Sequence, residues 1–279
     1  MADKILEMFF DLDRWTKAIA KGVGKDIRKD QLIHLASEHT RLAIASAMKH
    51  GEYEISPPHT AQISKDNGEF RTVYVNEPID RIILSIANDL LFDLMPVMVH
   101  PACKSYQTGI GCGKVVKEVS SSIANNSTTD TLGWKADLSK YFDSVPLMFI
   151  DEAFDKVEAK HGHSVVIDVL RKYYHNDLYF DEDNKLQRKF QSLKQGCAVA
   201  SWLADVLLYD LDAELTALGE FYTRYSDDML YIGEKYEQAM TILESRLAEK
   251  SMHLNPKKVE YLTSDRWFKF LGYSIKGAS

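Results

Sequence analysis

Residues 221 to 233, FYTRYSDDMLYIG, set two adjacent aspartates, Asp227 and Asp228, between two short runs of aromatic and apolar residues. Such runs flanking a polar pair read as a β-hairpin, so the carboxylates are displayed at a turn between two strands. An Asp pair taken alone is more often a plain polar turn. Here a second acidic segment, WKADLSKYFDSVP at 134 to 146, ends a predicted strand on Asp137 and carries Asp143 six residues later, beyond Tyr141-Phe142. Two separate strands therefore each deliver a carboxylate.

The rest of the pattern is mixed. From Lys4 to about His50 apolar residues recur at helical spacing, and Pro57-Pro58 ends the run. Residues 61 to 76 alternate in part and carry Asn67-Gly68 where a hairpin turn belongs. Ile82, Ile83, Ile86, Leu90, Leu91 and Leu94 share a broad face, which predicts a core helix from Asp80 to Leu94 stopped by Pro96. A second helix is expected from Gly113 to Ile123, with most of the polar run 120 to 131 a loop before the strand of Asp137. Further helices are expected at 146 to 160, 163 to 174, 198 to 218 and 234 to 251. Strands and helices alternate irregularly, which favours α+β over a doubly wound sheet.

Composition sets bounds. With 279 residues, 45% of them hydrophobic, the chain can bury a sizeable core. Its net charge of -7 argues weakly against a nucleic-acid binder, although a whole-chain charge can hide a basic groove. Cys103, Cys112 and Cys197 show neither a disulfide frame nor zinc-ligand spacing, which suits a reducing cytoplasm. MADKILEMFF lacks a basic-then-apolar leader, and Asn88, Asp89 and Asp93 interrupt the apolar region 82 to 99, so a soluble cytoplasmic protein without a membrane span is expected.

The acidic segments suggest a chemistry. Mg²⁺ takes hard oxygen ligands from one or two carboxylates plus substrate phosphates, so Asp137 and Asp227, facing each other across adjacent strands, would hold two ions. One would activate a primer hydroxyl and the other would carry a triphosphate, with Mn²⁺ as a substitute.

These segments resemble motifs A and C of reverse transcriptases, the latter in its Tyr-x-Asp-Asp form. KQGCAVASWLADVLL at 194 to 208 is similar to motif B, with Gln195-Gly196 in register, although Ala200-Ser201 stand where many retroelement members carry Ser-Pro. KDNGEFRTVYVNEPIDRIILS at 65 to 85 resembles the fingers hairpin, which implies that Lys65 and Arg71 hold the triphosphate. LNPKKVEYL at 254 to 262 looks like motif D, making Lys258, or Lys257, the group that protonates or neutralises the leaving pyrophosphate. FKFLGYSI at 268 to 275 resembles the motif E hairpin that grips the primer. Phe142, five residues after Asp137, matches the aromatic position beneath the sugar that excludes a ribose 2′-hydroxyl. SYQTGIGCGKVVKEV at 105 to 119 occupies the place where relatives approach the template, which implies close backbone approach at its three glycines and a template contact at Lys114.

The resemblance implies an α+β right-hand polymerase with an antiparallel palm sheet and packed helices. Residues 1 to 130 would be fingers, 131 to 194 palm with part of the fingers, and 195 to 279 palm ending in the primer-grip hairpin. The family's helical thumb follows motif E, so it is expected to be absent or supplied by a further domain or partner chain. The implied activity is RNA-directed DNA polymerisation from deoxynucleoside triphosphates on an RNA template with a DNA primer. Metal would be held by Asp137, Asp227 and Asp228 with the Leu138 carbonyl, and Gln195, Gly196 and Phe142 would shape the nucleotide pocket. Two alternatives remain: template-independent DNA synthesis by a phage-defence protein, and a thumb-deficient nucleic-acid-binding fragment with an idle site. Group II intron, retron and other retroelement lineages are not separated.

Overall fold

The computed structural model describes residues 2–21, 27–65, 68–125 and 130–276. In chain order the first helices are α1 (Lys4–Phe9), α2 (Leu12–Ala20), α3 (Lys29–Ala36) and α4 (Glu38–Lys49). They are followed by β1 (His59–Ser64), β2 (Phe70–Val75) and α5 (Pro78–Leu94). Next come α6 (Cys112–Asn125), β3 (Thr131–Asp137), α7 (Tyr141–Ser144), α8 (Leu147–His161) and α9 (Val165–His175). The remainder is β4 (Leu178–Phe180), β5 (Leu186–Arg188), α10 (Val199–Val206), α11 (Tyr209–Ala217), β6 (Phe221–Tyr225), β7 (Asp228–Ile232), α12 (Tyr236–Glu249), β8 (Glu260–Thr263), β9 (Trp267–Phe270) and β10 (Tyr273–Lys276). The fold is α+β, as expected. Asn67 of the predicted hairpin turn lies outside the described residues.

Two compact units divide the chain, Met1–Pro96 with Leu147–Leu203, and Val97–Pro146 with Ala204–Ser279. In the first, α5 buries Ile82, Ile83, Ile86, Leu90 and Leu91, while α9 buries Ile167, Leu170, Tyr173 and Tyr174. Helices α1 and α2 pack on α5, and α8 packs on α9, where Phe154 stacks on Trp202 at 6.1 Å. Its sheet has the order β2-β1-β4-β5: two antiparallel hairpins joined by one parallel pairing, His59 with Phe180.

In the second unit β6, β7, β3 and β8 form an antiparallel sheet in that order. One face packs on α6 and the β9–β10 ribbon through Val115, Val119, Ile123, Leu230, Ile232, Leu262, Phe268 and Ile275, all buried. The other face meets α12, with Trp134 stacked on Tyr231 at 5.7 Å and its indole N–H donating to the Tyr236 carbonyl. Helix–sheet burial of this kind supplies most of the stability of such a layer. Beside Gly133 the β3–β8 register shifts. A Cβ at Gly133 would fall 1.9 Å from the Tyr231 carbonyl oxygen, at φ +149, so only glycine lets β3 approach β7 there.

Two local expectations need correction. The first half of the polar run 120 to 131 is helical, because Val119 and Ile123 lie one turn apart on the buried face of α6 and draw Ser120, Ser121 and Ser122 into the helix; residues 126–129 lie outside the described ones. The helix expected over 198 to 218 is two helices. Its break follows from donors elsewhere. The Ala204 carbonyl accepts from Tyr141 Oη at 2.9 Å and Arg224 Nη1 at 3.1 Å, and the Asp205 carbonyl from Arg224 Nη2 at 2.8 Å. Side chains thereby satisfy the carbonyls that a continuing helix would have used.

Candidate active site

The three aspartates meet at one end of the second unit's sheet. Asp137, the last residue of β3, is the direct cross-strand partner of Asp228, the first residue of β7. Asp227 sits in the β6–β7 turn beside Ser226, and its carbonyl accepts from the Leu138 N–H at 3.4 Å. The strand register therefore opposes Asp137 to Asp228, with Asp227 in the turn. The expectation that Asp227 faces Asp137 across the strands is corrected, because a two-residue turn places its second residue outside the ladder and the partner of Asp137 is Asp228.

Burial and mutual repulsion load this group. Burial raises the Asp227 carboxyl, with the Asp137 charge adding to it. Burial likewise pushes Asp228 up to about 7, helped by Asp227 and Asp137. Lys258 answers them directly, donating to Asp137 Oδ2 at 2.7 Å, and the Lys135 charge also acts on Asp228. Burial works against the charged Lys258 ammonium, but its hydrogen bond to Asp137 and the three carboxylate charges outweigh it and raise its pKa. The short Pro256–Lys258 turn that presents this lysine is tied to the same strand end, since the Asn255 N–H donates to the Asp137 carbonyl at 2.8 Å. Asp137, Asp228, Lys257 and Lys258, with Lys135 and Lys269, line a cavity of about 250 Å³. The three carboxylates crowd hard oxygen donors together, and among the described residues only Asp137 of the three has a lysine hydrogen-bonded to it, a set that fits Mg²⁺ or Mn²⁺.

Phe142 belongs to the same unit. It lies half-buried in α7, five residues past Asp137, edge-on to Tyr141 at 5.7 Å. Lys140, with φ of 50°, turns the chain from the strand end into α7.

Sequence reasoning missed what stands behind the aspartate turn. Arg224 is fully buried, and each of its N–H groups has an acceptor. Its Nε donates to Asp212 Oδ1 at 2.8 Å, and Nη2 to Asp212 Oδ2 at 2.6 Å and to the Asp205 carbonyl. Nη1 serves the Ala204 carbonyl and, at 3.0 Å, the Ser226 carbonyl. Tyr222 Oη adds a 2.9 Å bond to Asp212. An arginine inside a strand three residues before the acidic pair was the available signal, but its partner twelve residues upstream follows no periodicity.

The remaining candidates lie in the first unit. Lys65 and Arg71 are exposed near the turn end of the β1–β2 hairpin, Arg71 opposite Ile63, and Lys65 is 3.5 Å from Glu69. Gln195 and Gly196 form the turn before α10, where the Gln195 carbonyl accepts from the Tyr74 N–H at 2.7 Å. A Cβ on Gly196 would lie 2.8 Å from the Tyr74 carbonyl oxygen, and its φ is +106, so glycine is required there as well. Lys194, before this pair, is buried. Its Nζ donates to the Asn176 carbonyl at 2.7 Å and to Gln191 Oε1 at 2.5 Å, over the Tyr173 ring, and burial pulls its pKa down to about 8.

Among the described residues, the ligand atoms that all lie within 4.8 Å of one another belong not to the aspartates but to Glu158, His163 and Asp168. Arg171 sits 3.0 Å from Glu158, and the His163 ring bridges both carboxylates at 2.9 and 3.3 Å. That group is an ion-pair network in which cations already occupy the carboxylates.

An antiparallel sheet that brings one acidic strand end to a two-aspartate turn, backed by helices, is the palm of a right-hand polymerase. Residues 63–275 match the family described as reverse transcriptase (RNA-dependent DNA polymerase), and the chain belongs to that family. Its members are nucleotidyltransferases that use divalent metal ions. The chain is 24% identical over 169 residues to an uncharacterized 91 kDa protein in cob intron of Schizosaccharomyces pombe, covering 61% of this chain and 20% of that protein. Telomerase from Candida tropicalis in its apo form superposes with a TM-score of 0.58 at 13% identity, covering 80% of this chain and 46% of that one. Candida albicans telomerase, in complex with a fragment of telomeric RNA, gives 0.55 at 13% identity, covering 85% and 49%. The chain thus spans a fifth of the curated relative and just under half of each telomerase chain. No described helix is long and apolar enough to cross a membrane.

Proposed function

We propose that this chain is the catalytic core of an RNA-directed DNA polymerase, extending a DNA primer on an RNA template from deoxynucleoside triphosphates. The observation that carries the reading is the Asp137–Asp228 pairing, with Asp227 in the adjoining turn and Lys258 on Asp137. Asp137, Asp227 and Asp228, with the Leu138 carbonyl, would hold two Mg²⁺ ions or Mn²⁺ in their place. When bound, these supply activation of the primer 3′-hydroxyl and charge neutralisation on the triphosphate.

The chain's own side chains take the other roles. Lys258, a raised-pKa ammonium, gives a proton to the departing pyrophosphate or screens its charge. Phe142 supports the sugar and excludes a 2′-hydroxyl by bulk. Lys65 and Arg71, on an exposed hairpin, bind the triphosphate, and closure on the correct nucleotide adds selection. Gln195 and Gly196 shape the nucleotide pocket from a turn that permits no side chain at 196.

The test is extension of a DNA primer on RNA, on DNA and without template, comparing deoxy- with ribonucleotides in Mg²⁺. Extension on RNA by deoxynucleotides, reduced about 10³-fold by Asp227→Asn, is the expected result, a loss of about 4 kcal/mol of transition-state stabilisation. Extension in the absence of template would replace this reading with template-independent synthesis. Binding of primer–template without turnover would leave a nucleic-acid-binding fragment.

A further inference from the structure

The buried network behind the aspartate turn has a second arm. Ser226 occupies the left-handed region at φ 57, a conformation that a residue with a Cβ holds only when its surroundings impose it. Both of its backbone polar groups are held. Its carbonyl accepts from Arg224 Nη1 at 3.0 Å, and its N–H donates to Ser105 Oγ at 2.9 Å.

Ser105 is fully buried, and its hydroxyl proton goes to Asp205 Oδ1 at 2.5 Å. A serine hydroxyl has one proton and two lone pairs. With the proton directed to Asp205, the lone pairs are left to accept, one from the Ser226 N–H and the other facing Cys103 Sγ at 3.4 Å. Asp205 is itself fully buried in α10, and its other oxygen accepts from Gln107 Nε2 at 3.1 Å. The Asp205 backbone carbonyl takes Arg224 Nη2, so the two arms close on one residue.

We propose that Ser105 and Asp205 are positioning residues that fix the Ser226–Asp227 turn for metal binding, Asp205 by orienting the Ser105 hydroxyl so that it can accept from the Ser226 N–H. Neither touches the reacting groups. The inference rests on the reading of Asp227 as a metal ligand.

The experiment is titration with Mn²⁺ alone, followed by the loss of the free-ion electron paramagnetic resonance signal, on the full chain without nucleic acid. Circular dichroism and thermal melting monitor the fold in parallel. Asp227-dependent binding is defined as the part removed by Asp227→Asn. Ser105→Ala is expected to weaken it about 10-fold, the range seen when outer partners of metal ligands are removed. Asp205→Asn, which keeps an acceptor oxygen for the Ser105 hydroxyl, is expected to stay within about threefold. Should Ser105→Ala not fold, Ser105→Cys replaces it, filling similar volume with a poor acceptor.

Equal Mn²⁺ affinity in a folded Ser105 variant and the unaltered chain would overturn the inference while leaving the metal reading intact. A loss in Asp205→Asn as large as in Ser105→Ala would overturn the orienting role. Absence of any Asp227-dependent binding in the unaltered chain would overturn the metal reading and this inference with it.

Discussion

Arg224 and Asp212 form an ion pair with no exposure to solvent, linked at 2.6 Å. Removing one partner of such a pair leaves the other charge stranded in a medium that cannot solvate it. Arg224→Met is therefore expected to lower the unfolding free energy by about 3–5 kcal/mol, read from urea denaturation. His163 gives a smaller effect with a pH signature. Its hydrogen bond to Glu158 raises the imidazole pKa, with the Asp168 charge adding to it. A raised folded pKa contributes stability that is complete below the unfolded value of about 6.5 and is lost as pH rises through the folded value. Replacing His163 by Asn should destabilise the protein at about pH 5.5 and have little effect near pH 9. Because the ring is exposed, the difference should stay below about 1 kcal/mol.

At the scale of elements, β3 carries the most constraint. It is the central partner of β7 and β8, ends on Asp137, and passes Gly133 within a methyl's width of the Tyr231 carbonyl. Gly133→Ala must push two paired backbones apart, since the obstructing atom is main chain and cannot rotate away. A cost of about 3 kcal/mol is expected, measured as a lowered thermal midpoint. The break between α10 and α11 belongs to the same scale: Tyr141 and Arg224 reach the carbonyls at its edge, so the interruption that ends α10 also seats the residues behind the aspartate turn.

At the scale of the molecule, each compact unit is assembled from two separated stretches of chain. A fragment ending at residue 96 would hold α5 but lack α8 and α9, which contribute Phe154, Ile167, Leu170, Tyr173 and Tyr174 to the core of the same unit. It is expected to lack a cooperative thermal transition by circular dichroism because, although α1 and α2 would still cover α5, α1 and α4 lose α9 and the rest of the core stays open to water. The net charge of -7 is unevenly spread at this scale, since Lys135, Lys257, Lys258 and Lys269 gather around a single cavity with Asp137, Asp228 and Glu260.

Legibility divides along the same lines. Helical and strand periodicity marked α5, α8, α9, α12 and the β1–β2 and β6–β7 hairpins, because each buries one face and the spacing of apolar residues records that face, whereas the short, largely exposed β4–β5 hairpin left no such record. The order of acidic, Gln-Gly and Lys-Lys segments was enough to place the chain in its family. The sequence reading set Asp227 opposite Asp137, where the register puts Asp228, and it could not give why the helix after Gly196 breaks or what supports the turn. Those depend on strand register and on buried partners such as Arg224 with Asp212 and Ser105 with Asp205, the last pair a hundred residues apart in the chain. Local spacing encodes local periodicity, whereas a buried hydrogen-bond network is satisfied only by the three-dimensional packing that brings its members together.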